Sequence, residues 1–427
     1  MFLMKYMIRK QIFLKLKQTL VLLLFILYVQ ILNAQKQDLD YYLTTGLSNS
    51  PLLKDYNNRM KSALIDSMRI RAGQGVQVYA SSINSFAPVI RSWGYDAAVT
   101  DIANISALVG VSKELTRSST LRTKYESVRL QNQSTFLESS LSQKDLRKEI
   151  IAQYILTYGN QQNFLLNSEV LSIIRQEEQI VKRLTEQGVY KQTEYLSFIV
   201  NLKQQELITS QSDYQFRTEL ESLNYFCGIF DTTIVTLSEP GLTANSLVKL
   251  HNTLFYRQFK TDSLKLINAA QQIDFSYRPK LSVYADGGYL SSLAVTPWKN
   301  FGASVGLSLT MPVYDGRQRK MQQDQVAISE MTRSNYVSFF ENKYYQQISM
   351  LKRQLNSLEH ISSQTRDQLK YVQALIDANR LLLNSGDIPV TDYLISVNNY
   401  LTARGMLIEN TISWFKVVNE INYWSEK

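Results

Sequence analysis

Residues 188–196 read Gly188-Val-Tyr-Lys-Gln-Thr193-Glu194-Tyr195-Leu196, and residues 386–394 read Gly386-Asp-Ile-Pro-Val-Thr391-Asp392-Tyr393-Leu394. Both stretches follow the pattern G-x4-T-[DE]-Y-L, and they lie 198 positions apart. The same offset also places Val111 over Leu309, so one gapless register covers about 115 residues of each half. A self-match of this length indicates that the chain is built twice from one structural unit.

Further towards the N-terminus the offset changes to 205, which aligns residues 76–80 with residues 281–285. We expect the difference of seven residues to fall in the loop between two strands, because surface turns tolerate changes in length. The sequence therefore predicts a first repeat at residues 35–240 and a second at residues 241–427, each with a helix, two strands and a long helical hairpin.

The stretch 301–311 alternates apolar and small residues over eleven positions. One face carries Phe301, Ala303, Val305, Leu307, Leu309 and Met311, and the other carries Gly302, Ser304, Gly306, Ser308 and Thr310. A tilted membrane strand needs about 9–11 residues of this pattern, although a strand half-buried on a soluble core alternates in the same way. The first repeat has a weaker version, with Val99, Ala103, Ile105, Ala107, Val109 and Val111 on one face and Asp101 interrupting it.

Only four strands are predicted, at about residues 75–84, 98–111, 280–289 and 301–311. Four strands cannot close a barrel, and an open sheet edge in a bilayer leaves backbone groups without hydrogen bonds. If the strands cross a membrane, several chains must contribute to one barrel.

After each strand pair the hydrophobic period changes from two to between 3.5 and 3.6. The positions that form this seam are 166, 170, 173, 177, 180 and 184 in the first repeat and 351, 355, 358, 362, 365, 369, 372 and 376 in the second. They predict coiled-coil helices, a pattern that a soluble helical bundle shares. Gly188 and Gly386 end the outgoing helices, because glycine accepts the left-handed conformation after a helix.

Thr193 and Thr391 are each followed by an acid, Glu194 and Asp392, close to the start of the next helix. Negative charge is favourable there because the helix dipole is positive at its N-terminus. Helix capping alone explains most of this pattern, so a functional role for the two acids needs separate support.

The first 34 residues have the features of a signal peptide. A basic region with five cations precedes an apolar run of 13 residues, and Ala34 offers a cleavage site. The alternative is an uncleaved anchor, although a spanning helix needs about 20 residues. Cleavage would lower the formal charge from +9 to +4, and no clustered basic face indicates nucleic-acid binding. The single cysteine, Cys227, cannot form an internal disulfide and is expected to be a small buried residue.

Enzymatic chemistry finds no support in the sequence. His251 and His360 are the only histidines and are far apart in the chain, and there is no phosphate-binding loop, paired cysteine or nucleophile motif. We therefore expect no enzyme, no cofactor and no resident metal.

Several segments together resemble the TolC-type outer-membrane efflux family. Besides the doubled turn, they are Asn49-Ser-Pro51-Leu52, Tyr277-Arg-Pro-Lys-Leu281, Gly306-Leu-Ser-Leu-Thr-Met-Pro-Val-Tyr-Asp-Gly316 and Leu223-Asn-Tyr-Phe-Cys-Gly228. Each is loose alone, but their order, spacing and duplication are specific, and they span nearly all of the mature chain.

The resemblance implies a mainly α-helical protein with membrane β-strands. It would be a homotrimeric α/β-barrel channel in the cell outer membrane, with four barrel strands per chain and coiled-coil hairpins projecting into the periplasm. Its partners would be outer-membrane lipid, a periplasmic adaptor (membrane fusion) protein and an inner-membrane pump. Such a channel passively conducts solutes to the outside, in efflux or in type I secretion. No motif identifies the cargo or the class of pump.

The resemblance also implies that the turns at Gly188 and Gly386 lie at the periplasmic entrance. Asp392 matches one position of the family's acidic ring, whereas the second falls on Ile395. The latch arginine of the family falls on Ile388 and its aromatic partner on Leu383, while Glu194 keeps the acidic latch position. We therefore expect a gate held by different contacts. The alternative is a periplasmic coiled-coil adaptor or scaffold protein with a small β-domain.

Overall fold

The computed structural model describes residues 37–88, 90, 93–94, 102–246, 248–292 and 296–425. The predicted signal peptide lies outside the described residues. The elements, in chain order, are α1 (Leu39–Asn49), α2 (Pro51–Gly73), β1 (Gln77–Ser81), β2 (Asn84–Ala87), β3 (Ile102–Glu114), α3 (Ser118–Glu186), α4 (Gln192–Phe226), α5 (Leu254–Ser276), β4 (Lys280–Ser291), β5 (Phe301–Thr310), α6 (Gln318–Ser385) and α7 (Val390–Ser425). Each half of the chain has the same order of elements, which is a helix, then strands, then two long helices. No helix in the described ranges is long and apolar enough to cross a bilayer.

The described residues form two compact units. The hairpin unit comprises the described parts of Met1–Ser50, Lys144–Leu247 and Ile348–Ser425, and the sheet unit comprises those of Pro51–Gln143 and Val248–Gln347. Each unit takes residues from both halves of the chain. The compact units therefore cut across the repeat, and the repeat boundaries at 35–240 and 241–427 stay a prediction.

The predicted coiled-coil seams are confirmed in the hairpin unit. Every seam position of α3 and α6 is buried or half-buried, and most positions between them on α6 are exposed. Leu166, Val170 and Leu184 on α3 share one hydrophobic core with Leu383 on α6 and Val397 on α7. Burying an aliphatic side chain of this size contributes roughly 1.5–3 kcal/mol, so this narrow stripe holds α3, α4, α6 and α7 together.

A second core of the hairpin unit packs α1 against α3 and α4. Tyr42 and Tyr154 have no exposed surface and meet edge to face, with ring centroids 5.7 Å apart. Cys227 belongs to this core and is 1% exposed, which confirms the prediction of a small buried residue. Burial raises the pKa of its thiol to about 12, so the reactive thiolate is scarce at neutral pH.

The sheet is antiparallel, in the order β1-β3-β4-β5, and β2 also pairs with β3. β1 and β2 keep the same register on β3, because Ser81 pairs with Leu108 and Asn84 with Ile105. They are therefore one strand with a short interruption, and the described residues contain the four predicted strands. Residues 98–101 of the second predicted strand lie outside the described residues. At the interruption the Ser106 hydroxyl oxygen accepts the N–H of Ile83 at 2.9 Å.

A tyrosine covers a glycine in each strand pair, and this fixes how the repeats align. Tyr79 pairs with Gly110 and Tyr284 with Gly306, and a Cβ on either glycine would lie within 3 Å of the tyrosine ring. Gly110 and Gly306 are 196 positions apart, not 198. The gapless register was therefore wrong at β3 and β5, although it holds at the turns. The loop difference is nine residues rather than seven, because Tyr79 and Tyr284 keep the offset of 205.

One face of the sheet is apolar on every strand. Members with large exposed side chains are Val78, Phe86, Val109, Val111, Leu281, Phe301, Val305, Leu307 and Leu309. On β5 the exposed fractions of Val305, Leu307 and Leu309 are 79%, 71% and 70%. A strand half-buried on a core of its own chain would have this face covered. Within the described residues nothing covers it, and it forms a contiguous apolar surface.

We predict that Gly306→Ala destabilises the sheet by about 1–2 kcal/mol, in the range of overpacked sites. A Cβ at Gly306 would lie 2.6 Å from Cζ of Tyr284, so the ring must move. Gly302→Ala is the matched control, because a Cβ there meets no atom within 4 Å. Thermal unfolding of the detergent-solubilised protein, followed by circular dichroism, measures the difference.

Removing the ring should remove the effect, so Gly306→Ala should cost nothing further in a Tyr284→Ala background. Equal unfolding temperatures for Gly306→Ala and Gly302→Ala would contradict the packing of the tyrosine ring on the glycine.

Candidate functional site at the paired hairpin turns

The two hairpin turns of the hairpin unit have the same backbone geometry. Gly188 and Gly386 follow α3 and α6 with φ angles of 77° and 82°, which confirms their predicted role. In the first turn, Val189 donates its N–H to the Leu184 carbonyl at 2.9 Å; in the second, Asp387 donates to Leu382 at the same distance. Both turns are therefore Schellman motifs, in which a glycine ends the helix and backbone donors satisfy its last carbonyls.

The turns contact each other directly. The hydroxyl of Tyr190 lies 3.1 Å from the carbonyl oxygen of Leu383 and 2.9 Å from that of Ile388, and it donates its proton to either. Tyr190 is buried, and this burial raises the pKa of its phenol. A Cβ on Gly386 would lie 2.6 Å from Cγ1 of Val189, so only glycine allows so close an approach.

Tyr190 was missed by the sequence reasoning. The resemblance directed attention to Leu383 and Ile388, where the family's latch side chains would be. In the contact between the turns these two residues supply backbone carbonyl oxygens, and the hydroxyl comes from the other repeat. A signal was present, because Tyr190 lies 198 positions before Ile388 and the two copies differ there within a matched turn.

Glu194 caps a helix. Its carboxylate accepts the backbone N–H of Lys191 at 3.0 Å, at the start of α4. This is one half of a capping box, since a lysine ammonium has no lone pair with which to complete the other half. The capping interpretation of Glu194 is confirmed, and its charge is already engaged in the fold.

Asp392 has a different environment. It lies in the first turn of α7, and its backbone N–H donates to the Pro389 carbonyl at 3.1 Å. Its side chain is exposed and has no hydrogen bond or ion pair to the described residues. Thr193 and Thr391, which precede the two acids, are exposed as well. Of the two predicted acids, therefore, only Asp392 presents a free carboxylate to solvent.

Below the turns, carboxylates of α3 bind the second hairpin. Glu177 has no exposed surface, and its Oε1 accepts Nε–H of Arg380 at 2.6 Å. Glu169 accepts the Tyr400 hydroxyl at 2.7 Å, and Arg404 lies 3.7 Å from its other oxygen. These bonds join α3 to α6 and α7, so the first hairpin is tied to the second along its length as well as at the turn.

The buried end of this contact is incompletely satisfied. Oε2 of Glu177 and the hydroxyl of Tyr393 are both inaccessible and have no hydrogen-bond partner in the described structure. Burial raises the pKa of Tyr393, and the nearby carboxylate of Glu177 raises it further. The phenol therefore stays neutral throughout the physiological range of pH.

The two histidines do not come together in a site. His251 packs edge to face on Tyr256, with ring centroids 4.4 Å apart, and His360 is exposed on α6. Among the described residues no three His, Cys, Asp or Glu side chains form a group that could hold a metal ion.

No protein-family model matches the chain, and no curated protein matches it either. Solved structures do. CusC, a protein that forms a transmembrane channel, is 12% identical, with 92% of this chain and 93% of that chain covered and a TM-score of 0.72. The outer membrane protein VceC of Vibrio cholerae is 11% identical, with 91% and 96% covered and a TM-score of 0.71. The open state of the Neisseria gonorrhoeae MtrE outer membrane channel is 12% identical, with 90% and 88% covered and a TM-score of 0.69.

These similarities establish the fold. The chain has the fold of outer-membrane channels, with long helices and a small antiparallel sheet, and this confirms the fold expected from the resemblance to TolC-type proteins. The structures that it resembles are channels rather than enzymes.

We predict that Tyr190→Phe loosens the second turn. Loss of one buried hydrogen bond costs about 1–2 kcal/mol, which corresponds to roughly five- to thirtyfold faster exchange of the amides it protects. Hydrogen exchange measured by mass spectrometry at Gly386 and Asp387 tests this. Tyr195→Phe is the matched control, because the Tyr195 hydroxyl has no hydrogen-bond partner in the described structure. Equal exchange in both variants would exclude Tyr190 as the contact that holds the turns together.

Proposed function

We propose that the protein is a non-enzymatic exit duct of the outer membrane, which conducts solutes passively from a periplasmic adaptor and an inner-membrane pump to the outside. The observation that carries this proposal is the uncovered apolar face of the sheet, found on a chain with the fold of outer-membrane channels. In water this face would be an aggregation site. In a bilayer it would be solvated by acyl chains.

The sheet also supports a homotrimer. Its outer strands, β1 with β2 on one side and β5 on the other, each have one unpaired edge within the described residues. Lipid offers no hydrogen bonds to such an edge, so it must pair with another strand. Three copies joined edge to edge would give a closed barrel of twelve strands, in which each apolar face points outwards.

The paired turns support a gated entrance in the periplasm. In this proposal Gly188 and Gly386 let the hairpins turn at the entrance, while the hydroxyl of Tyr190 holds the second turn to the first. Glu194 serves the helix, whereas Asp392 contributes the acid of a threefold ring. Opening would separate the hairpins, and adaptor contacts would bias this two-state change.

A periplasmic adaptor or scaffold protein is the alternative. Such a protein is water-soluble, and its β-domain would bury the apolar side of its strands. Val305, Leu307 and Leu309 are each at least 70% exposed, which argues against that alternative.

We predict that Asp392→Ala changes how ions pass the channel. A ring of carboxylates favours cations and binds divalent ions. The variant should therefore shift the reversal potential in a salt gradient towards that of an anion-selective pore, and weaken block by divalent cations at least tenfold. Planar-bilayer recording of the reconstituted protein measures both quantities.

Asp324→Ala is the charge-matched control, since Asp324 is an exposed carboxylate on α6 in the sheet unit. It should leave both quantities unchanged. If the Asp392 variant and the wild-type protein give identical reversal potentials and block, the acidic ring is ruled out. If the wild-type protein forms no channel at all, the proposed function itself fails.

A further inference from the structure

We propose that the sheet unit binds the headgroup of an anionic phospholipid in a cation-lined pocket where the strands meet the helices. The inference rests on the proposed function, because it requires the apolar face of the sheet to lie in a bilayer. It concerns the ligand at one end of that face, which the proposed function leaves open.

The pocket has a volume of about 470 Å³ and four basic residues in its wall. They are Arg117, Lys124, Arg278 and Lys280, all exposed and without an ion pair to the described residues. The one carboxylate that lines the pocket, Glu114, accepts a hydrogen bond from the Thr116 hydroxyl at 3.3 Å. Four cations against one carboxylate leave a strongly positive cavity that favours an anion.

The connections between strands and helices bring these cations together. Three residues link β3 to α3 and three link α5 to β4, and Leu115 extends the sheet by donating its N–H to the Leu281 carbonyl at 2.8 Å. The chain therefore leaves the sheet through Arg117 close to the place where it enters the sheet through Arg278 and Lys280. The guanidinium of Arg278 is held over the ring of Phe275, 4.2 Å from its centroid.

Part of the pocket wall is apolar. Leu281 and Leu309 line it, and both belong to the uncovered apolar face of the sheet. One cavity thus joins a surface suited to acyl chains with a cluster of cations suited to phosphate. This combination fits an amphiphile better than a free inorganic anion, which gains nothing from the apolar wall. Basic residues at the edge of a membrane-embedded surface attract anionic lipid electrostatically.

The corresponding connection in the second repeat makes a useful contrast. Exposed Val313 and Tyr314 are followed there by basic residues, so the same order of apolar and cationic side chains occurs. Its positive charge, however, is offset by acids of the chain itself. Arg319 pairs with Asp274 at 3.0 Å, and Asp315 accepts the backbone N–H of Arg317 and of Arg319 at 2.9 Å. None of the four cations in the first-repeat pocket has an ion pair to the described residues, whereas Arg319 at the second connection does, so we assign the lipid headgroup to the first-repeat pocket.

The test uses the full-length protein in a neutral detergent and dihexanoyl-phosphatidylglycerol as the probe. Native mass spectrometry counts the bound lipid during a titration. The triple variant Arg117→Gln, Arg278→Gln and Lys280→Gln should bind it at least tenfold more weakly than the wild-type protein. The control Lys182→Gln, Arg183→Gln and Lys352→Gln removes the same charge from exposed positions of the hairpin unit and should stay within twofold of wild type.

Two further arms identify the source of the phosphate. Dihexanoyl-phosphatidylcholine, which carries no net charge, should bind the wild-type protein at least tenfold more weakly than the anionic lipid. Inorganic phosphate in large excess should not displace that lipid. Displacement by inorganic phosphate, or equal affinity of the triple variant and the control, would overturn the proposal.

Flotation with phosphatidylcholine vesicles separates this failure from that of the proposed function. If all three proteins insert into the vesicles but their lipid affinities do not differ, only the lipid pocket is disproved. If the wild-type protein inserts into no vesicle, the premise is lost and both proposals fall together.

Discussion

The constraint on which the rest of the structure depends is a sheet that the described part of its own chain leaves incomplete. Four antiparallel strands present an apolar face that no described residue covers, and β1 and β5 each offer an unpaired backbone edge. Water is a poor solvent for the face, and lipid is a poor solvent for the edges. The proposed function meets both demands together, because the face would meet lipid and the edges would pair with strands of further copies of the chain.

The two halves of the chain supply the same set of elements to this arrangement. One unit, used twice, supplies two antiparallel strands with a tyrosine over a glycine and a hairpin that ends in a Schellman turn. The copies differ where they must interact. Tyr190 provides a hydroxyl where its counterpart Ile388 provides a carbonyl oxygen, so the two turns bind each other as donor and acceptor. Likewise Glu194 is used in capping, whereas Asp392 remains free for solvent and ions.

Much of the fold could be predicted from the sequence, because hydrophobic periodicity and glycine positions report local structure directly. The alternation at 301–311, the helical seams and the turns at Gly188 and Gly386 all belong to this class, and the structure confirms them. The register of the strands could not be predicted in the same way. It depends on which residues lie opposite each other. Because Tyr284 packs on Gly306 as Tyr79 packs on Gly110, β3 and β5 align with an offset of 196 rather than 198 residues.

The candidate site was predictable only in part, for the same reason. The glycines and acids of the turns follow from local rules, but the contacts of Tyr190 and Glu177 join positions about 200 residues apart. Every residue has a backbone carbonyl oxygen, so the residue type at the accepting position does not indicate that a hydroxyl binds there. Such partners are visible only when the two hairpins are placed side by side.

Disulfide crosslinking between sheet edges tests the central claim most directly. A cysteine at Val78 on β1 would be combined with one at Phe301, Val305 or Leu309 on β5, in a Cys227→Ala background. Within one chain two strands separate these edges, so the Cα atoms are about 14 Å apart, beyond the reach of a disulfide. Oxidation of cell membranes should therefore link different chains, with products of two and three chains and none larger. If every cysteine pair gives only monomers after oxidation, or if crosslinked products contain more than three chains, a closed ring of three incomplete sheets is contradicted.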